Sequence, residues 1–451
     1  MLTDLAAALP AGALVTDPDV IDPYRYDRAE TVVPGRPIAV VRATCTADVQ
    51  AVVRVAAAHR VPVVTRGAGT GLSGGSAAID GCITVSTERM RRIEIDPVAM
   101  VAVVEPGLLN AEVKTAAREH GLWYPPDPSS FEICSIGGNM ATNAGGLCCV
   151  KYGVTTDYVL GLEVVLADGT VVRLGGRTIK DVAGYDLKRL FVGSEGTLGI
   201  ITSATLRLRP LPPPSSTVVA TFADVTDAGR AVTAIMGRLR PSALELMDRT
   251  SVRAVEAQLR MGLDETCGAL LLGRSDAGGA QSAAEAAAME RACSDAGATY
   301  VAATDDEDEG EQLMTARRMA IPCVEKLGTV LIDDVGVPLP RIPDLIAAVE
   351  LVAERTATTI AVIGHAGDGN FHPLVVFDRQ DPDATRRAEE AFGAVMDAAV
   401  RLGGTITGEH GVGTLKRGWL RPQVGPEVMA LAARIKEALD PLGILNPGKV
   451  L

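Results

Sequence analysis

The stretch Val61-Pro-Val-Val-Thr-Arg-Gly-Ala-Gly-Thr-Gly-Leu-Ser-Gly-Gly75 constrains the fold more than any other part of the chain. Its first five residues are an apolar, β-branched run and predict a short buried strand. The strand feeds a loop with glycine at 67, 69, 71, 74 and 75 and Arg66 at its mouth. Glycines at that density let the backbone come close to a ligand. Successive N–H groups in such a turn form a concave nest for an anion, phosphate being the usual occupant. The segment after the loop excludes two nucleotide folds. A Rossmann fingerprint opens a helix directly from its glycines, but Ser76-Ala-Ala-Ile-Asp-Gly-Cys-Ile-Thr-Val-Ser86 reads as a turn and another strand. A P-loop fails as well, since no Gly-Lys-Ser/Thr closes the run. The expected site is a nest between strands.

Residues 1–36 read as an irregular lead-in, and 38–41 are strand-like. Thr46 is the expected cap of a helix whose apolar Val49, Val52, Val53 and Ala56 recur at helical spacing. Strand, helix, strand and glycine loop make an α/β unit. Further strands are expected at 83–86 and 101–104, and Asn110 is the expected cap of a second helix ending before Gly121. Two more glycine regions come later. One is Ser135-Ile-Gly-Gly-Asn-Met-Ala-Thr-Asn-Ala-Gly-Gly146, preceded by Pro125-Pro-Asp-Pro-Ser-Ser130; the other is Gly193-Ser-Glu-Gly-Thr-Leu-Gly-Ile-Ile201. Between them, residues 164–173 predict a hairpin with an Asp-Gly turn. Three backbone-donor loops in one unit suit an extended dinucleotide better than a lone phosphate.

With 451 residues, two or three domains are expected. Pro210-Leu-Pro-Pro-Pro-Ser-Ser216 is a stiff linker. Beyond it strands mix with helices, among them an Ala-rich helix over 277–297 and a late helix over 428–439. Thr304-Asp-Asp-Glu-Asp-Glu-Gly310 reads as a solvated acidic loop. A net charge of −13 argues against a nucleic-acid backbone as partner. The eight cysteines, Cys148-Cys149 included, show no Cys-x-x-Cys or ferredoxin spacing and read as thiols of a reducing compartment. No basic region opens the first twenty residues, and no apolar run reaches the ~18–20 residues that span a bilayer. A soluble, cytoplasmic protein is expected.

Chemistry-bearing residues concentrate late. Three of the five histidines are His365, His372 and His410. His365 ends a strand-like run, Ala366-Gly-Asp-Gly-Asn370 reverses the chain, and His372 opens the next strand, so a tight hairpin can bring both imidazoles to one end. Gly404-Thr-Ile-Thr-Gly-Glu-His-Gly-Val-Gly413 adds Glu409 and His410 in another glycine-framed turn. Two imidazoles and a carboxylate can hold a divalent transition metal with positions open for substrate; a bare hydrogen-bonding role is the alternative. Arg317 and Arg318 share a helix, and one turned inward would bind a carboxylate through two parallel hydrogen bonds. Sequence alone does not choose between them.

Taken together, these motifs resemble the FAD-linked oxidases of the vanillyl-alcohol-oxidase or PCMH type, nearest to the glycolate oxidase flavin subunit and the D-lactate dehydrogenases. The likeness runs from about Pro37 to Lys449 and rests on the three glycine regions, His365-Ala-Gly-Asp-Gly-Asn-Phe-His372, Gly408-Glu-His-Gly411 and Asn446-Pro-Gly-Lys449. It implies an α+β chain: a two-subdomain PCMH-type FAD-binding domain over 37–212, an α/β cap or substrate domain over 217–403, and a C-terminal helical segment over 404–451 that returns to the flavin. By that resemblance Arg66, Gly67, Ala68, Gly69, Thr70, Gly71, Leu72, Ser73 and Gly74 clasp the FAD pyrophosphate. Pro126 and Asp127 line the cofactor, as do Ser135, Gly138, Thr142, Asn143, Gly145 and Gly146. Tyr152, Gly153, Glu195, Gly199, Ile201 and Asn446 complete the set. His365, His372 and Glu409 look like ligands of zinc or manganese, His410 like the catalytic base, and Arg317 like the grip on the substrate carboxylate. Relatives with covalent FAD use a histidine near the pyrophosphate loop; none lies between His59 and His120, so non-covalent FAD is expected.

The expected reaction is oxidation of a small D-2-hydroxy acid, D-lactate or glycolate, to the 2-oxo acid, with hydride transfer to flavin N5. Ile321, Ile332 and Leu374 stand where relatives oxidising D-2-hydroxyglutarate carry polar side chains, which disfavours a dicarboxylate. Oxidation of another alcohol on the same scaffold and a flavin-binding subunit of a larger redox complex are the rival readings. The electron acceptor is left open among a quinone, a cytochrome, an electron-transfer flavoprotein and a partner subunit. A homodimer and peripheral membrane association through that acceptor stay open too.

Overall fold

Strands β1 (Leu14–Val15), β2 (Ala39–Arg42), β3 (Val63–Arg66) and β4 (Ile83–Ser86) form a sheet in the order β1-β2-β4-β3 in the computed structural model, which describes residues 1–451. The β2–β4 and β3–β4 pairs are parallel, and the glycine loop is the connection from β3 to β4. Parallel β2 and β3 flank β4 and are joined through the helix Thr46–His59, which buries Val49, Val52, Val53 and Ala56 in one core with Val41, Val63 and Ile83. Thr46 is not its cap. Cys45 holds that position without a side-chain bond, and the Thr46 hydroxyl donates to Glu163 Oε1 at 2.7 Å. Asn110 likewise begins the helix Asn110–Arg118 from within, its buried amide donating to Pro126 O (3.3 Å) and Asn139 Oδ1 (3.0 Å). In both places a distant acceptor out-competes the local cap.

The lead-in is not irregular. The helix Leu2–Ala8 sends Leu5 into the same core, and β1 pairs antiparallel with β2. Next come β5 (Ile93–Asp96), β6 (Val101–Val104), β7 (Leu122–Trp123), β8 (Val159–Val165), β9 (Val171–Gly175), β10 (Ile200–Arg207) and β11 (Arg209–Pro210). Five of them make an antiparallel sheet, β5-β6-β10-β8-β9, while β7 and β11 pair as a short ribbon. The Asp-Gly turn joins β8 to β9 as expected, with Leu166 N donating to Thr170 O. These two sheets and the C-terminal helices Arg417–Val424 and Pro426–Leu439 belong to one compact unit, Met1–Gly145, Val154–Leu211 and Glu409–Leu451.

Gly146–Gly153 and Pro212–Gly408 form the second unit. Its strands are β12 (Ser216–Phe222), β13 (Ala243–Asp248), β14 (Ala269–Ser275), β15 (Tyr300–Thr304), β16 (Thr329–Ile332), β17 (Val335–Gly336), β18 (Thr359–His365) and β19 (Asn370–Phe377). They form an antiparallel sheet in the order β15-β12-β14-β13-β18-β19-β16, with β17 beside β19. Helices Gly279–Asp295 and Pro382–Arg401 pack on it. The acidic run is not a plain solvated loop: Asp306 caps the helix Glu307–Arg318, accepting from Asp308 N (2.9 Å) and Glu309 N (3.0 Å). Three further carboxylates in that first turn complement the helix dipole. No helix is long and apolar enough to cross a membrane, and none of the eight cysteines is in a disulfide.

Candidate active site

In the first unit the glycine loop presents a row of uncommitted donors. The amides of Gly69, Thr70, Gly71, Leu72 and Ser73 donate to no acceptor of the chain. Ala68 N donates to Ser135 Oγ at 3.2 Å, and the same oxygen caps the helix Ile136–Thr142 through Gly138 N at 3.2 Å. The first two loops therefore share one hydroxyl. At Gly67 a Cβ would lie 2.2 Å from that oxygen, so this approach needs glycine. Free amides between strands fit the pyrophosphate of a dinucleotide. Arg66 serves the loop differently, donating to the carbonyls of Tyr26 and Pro23 and tying residues 23–26 to it.

The third loop and the C-terminal segment join the same cluster. Glu195, buried at φ 52°, accepts from Val412 N (2.7 Å) and Gly413 N (2.9 Å). Asn446 Nδ2 donates to Glu195 O (2.7 Å) and Gly75 O (2.9 Å), and Lys449 Nζ to Gly74 O (2.7 Å) and Thr414 Oγ1 (2.8 Å). Ser73 Oγ donates to Gly411 O at 2.9 Å. Gly413 has φ 50°, and a Cβ there would meet Ser73 O at 2.0 Å. Glu409 lies against Gly145 of the second loop, and its Oε1 is 3.7 Å from His410 Nε2. The three glycine regions and the Glu409–His410 turn are thus laced together within one unit.

Burial pushes the Glu195 carboxyl up from 4.5 to about 7, against the pull of two amide donors and Lys449. Its folded pKa exceeds its unfolded one, so the folded state binds more protons between these values. The stability it contributes is full below about 4.5 and is lost as pH rises through about 7. At about 1.4 kcal/mol per unit the swing is roughly 3 kcal/mol. Glu195→Gln cannot ionise and should flatten the thermal-stability profile from about pH 5 to about pH 8. A variant profile as steep as the wild type's would refute this account.

The second unit carries the histidine hairpin. Register pairs Ile363 with His372 and His365 with Asn370, so period-2 alternation puts both imidazoles on one face of the β18–β19 ribbon. Their ring centroids are 5.2 Å apart at 84°. His365 Nδ1 lies 2.9 and 3.0 Å from the two carboxylate oxygens of Glu245. Arg317 NH2 is 2.9 Å from Glu245 Oε2, with both side chains 1% exposed. Arg317 Nε has no acceptor in the chain, whereas Arg318 turns out to pair with the half-exposed Glu311. His372 Nδ1 is 3.8 Å from Asp334 Oδ1. The other Asp334 oxygen accepts Thr407 Oγ1 (2.6 Å) and Gly408 N (2.9 Å). Asp334 thereby holds the peptide that leads, one and two residues on, to Glu409 and His410. A carboxylate behind a histidine is the arrangement that orients metal-ligating imidazoles.

The Tyr152 hydroxyl is bonded to Asp276, and Tyr152 and Gly153 belong to the second unit. Ile332 and Leu374 are buried register partners across β16 and β19. Sequence reasoning does not single out Glu245 and Asp334. Their only local signal is a lone acid inside Ala243-Leu-Glu-Leu-Met and an Asp-Asp pair closing an apolar strand.

Comparison with known proteins fits both halves. Residues 37–175 match the FAD binding domain, and residues 211–450 match the C-terminal domain of FAD linked oxidases. The chain is 40% identical to the glycolate oxidase subunit GlcD of Bacillus subtilis, over 95% of this chain and 91% of that protein. It is 38% identical to GlcD of Escherichia coli K12 (97% and 87% covered) and 36% identical to a D-lactate dehydrogenase of Archaeoglobus fulgidus (95% and 96%). p-Cresol methylhydroxylase with substrate bound and 4-ethylphenol oxidase from Gulosibacter chungangensis share its fold. Each has a TM-score of 0.81 at 21% identity, covering 100% of this chain and 96% of the other. The mixed α+β PCMH-type architecture expected from the motifs is therefore the one found. With both halves matched and relatives aligned over nearly its whole length, the chain belongs to the FAD-linked oxidase family and is an FAD-linked oxidoreductase.

Proposed function

We propose that the protein oxidises a small D-2-hydroxy acid, of the D-lactate or glycolate type, to the corresponding 2-oxo acid. The observation that carries this reading is the buried Arg317–Glu245–His365 set beside His372. Its relatives named glycolate oxidase subunit and D-lactate dehydrogenase support it. We assign His365 and His372, on one face of the β18–β19 ribbon, together with Glu409 of the Gly408-Glu-His-Gly411 motif, to a divalent cation, zinc or manganese. Bound FAD supplies the two-electron acceptor, and a bound cation supplies charge that eases loss of a hydroxyl proton.

The chain's own residues do the rest. Arg317 binds the substrate carboxylate, its Nε being available for a further acceptor. The His410 imidazole takes the hydroxyl proton at a ring nitrogen. Ile332 and Leu374, buried, and Ile321 offer no partner to a second carboxylate, which selects against D-2-hydroxyglutarate. FAD is held without a covalent bond: His59 is bonded to Asp4 and His120 is exposed, and no histidine lies between them. Electrons then leave to a partner subunit, a reading supported by the word "subunit" in the GlcD relatives' name. The test is an anaerobic screen of 2-hydroxy acids, both enantiomers, followed by bleaching of the flavin. Rapid bleaching by D-lactate or glycolate is expected. Bleaching by none of these acids rejects the substrate class.

A further inference from the structure

Glu245 sits where a carboxylate has no structural reason to be. It is the third residue of β13, between Leu244 and Leu246, and is 1% exposed. A buried carboxylate without compensation is costly, and an aliphatic residue would fill the position at no such cost. Two groups compensate it. In the sheet, Glu245 is the register partner of His365, so their side chains project to the same face, and Nδ1 lies within 3.0 Å of both carboxylate oxygens. From the helix Glu307–Arg318, the Arg317 guanidinium meets Oε2 at 2.9 Å. Arg317 thus sets a cation against the buried Glu245 carboxyl group.

We infer that Glu245 is a positioning residue that fixes His365 in one tautomer for cation binding and holds Arg317 by the same carboxylate. Both Glu245 oxygens face His365 Nδ1, and one of them also meets the Arg317 guanidinium, a geometry in which Nδ1 is the donor to a carboxylate and the lone pair is left on Nε2. A carboxylate on the far nitrogen also makes the ligating nitrogen more basic. This inference rests on the assignment of His365 and His372 to a cation under the proposed function.

The test uses the full-length, FAD-loaded protein stripped of metal. Long-range ¹H–¹⁵N spectra of the ¹⁵N-histidine-labelled wild type, with His365 identified by its loss in His365→Gln, should show an Nδ1–H imidazole; the Nε2–H form overturns the inference. Chelator-buffered zinc titrations then compare Glu245→Gln and His372→Ala with wild type. Glu245→Gln is expected to bind zinc about 10–100-fold more weakly at unchanged flavin content. Zinc affinity within about twofold of wild type in Glu245→Gln, with affinity lost in His372→Ala, overturns the role of Glu245 and leaves the cation site standing. Unchanged affinity in His372→Ala rejects the cation site itself. Should Glu245→Gln fail to fold, the wild-type tautomer decides.

Discussion

His410→Ala is expected to keep its FAD and to be reduced by substrate about 10²–10⁴-fold more slowly than wild type, the range that a positioned base supplies. The separation arises from how the segment is held. Gly411 is fixed by the Ser73 hydroxyl, and Val412 and Gly413 by the Glu195 carboxylate, all through backbone atoms. Removing the partly exposed imidazole cuts none of these bonds, and the amides of residues 69–73 are untouched. Flavin content and thermal stability should therefore match wild type. Anaerobic stopped-flow bleaching by the substrate found in the screen measures the rate, and metal analysis measures the cation. Near-wild-type reduction removes His410 from the chemistry. Loss of the metal along with the rate would instead make His410 a ligand.

Features that depend on neighbours in the chain are legible in the sequence. The glycine loop between two strands, the Asp-Gly hairpin and the His365–His372 hairpin are each set by a short segment and its own periodicity. The misread features are those where a distant partner decides. Thr46 and Asn110 have the side chains of helix caps, but Glu163 and Asn139 claim them. The acidic run looks solvated by its charge, yet one residue in it, Asp306, meets two amides at the start of a helix. Glu245 is the clearest case. Its meaning lies in the register of β13 against β18, strands whose contacting residues are 120 positions apart, and no local pattern encodes that pairing. Asp334 is similar, since its partners Thr407 and Gly408 arrive from the far end of the second unit.

Arg317→Met should destabilise the protein by about 3–5 kcal/mol, the usual result of breaking a buried ion pair from one side. The adjacent Arg318 supplies the control. Its partner Glu311 is half exposed, and such pairs contribute about 0–1 kcal/mol; Arg318→Met should scarcely shift the urea midpoint. Arg317 and Glu245 are each 1% exposed, so loss of the guanidinium leaves an anion with His365 as its remaining polar partner. The penalty then comes from the stranded charge more than from lost packing, since methionine refills most of the volume. Glu245→Gln in the Arg317→Met background should recover much of the loss, because a neutral amide needs no counter-ion. A double variant as unstable as Arg317→Met alone would assign the loss to packing. Equal costs for Arg317→Met and Arg318→Met would deny the buried pair any special weight. A rise in KM is attributable to carboxylate binding only in a variant that retains Glu245 compensation, so Arg317→Lys, a single cation without the planar fork, is the informative substitution for substrate binding.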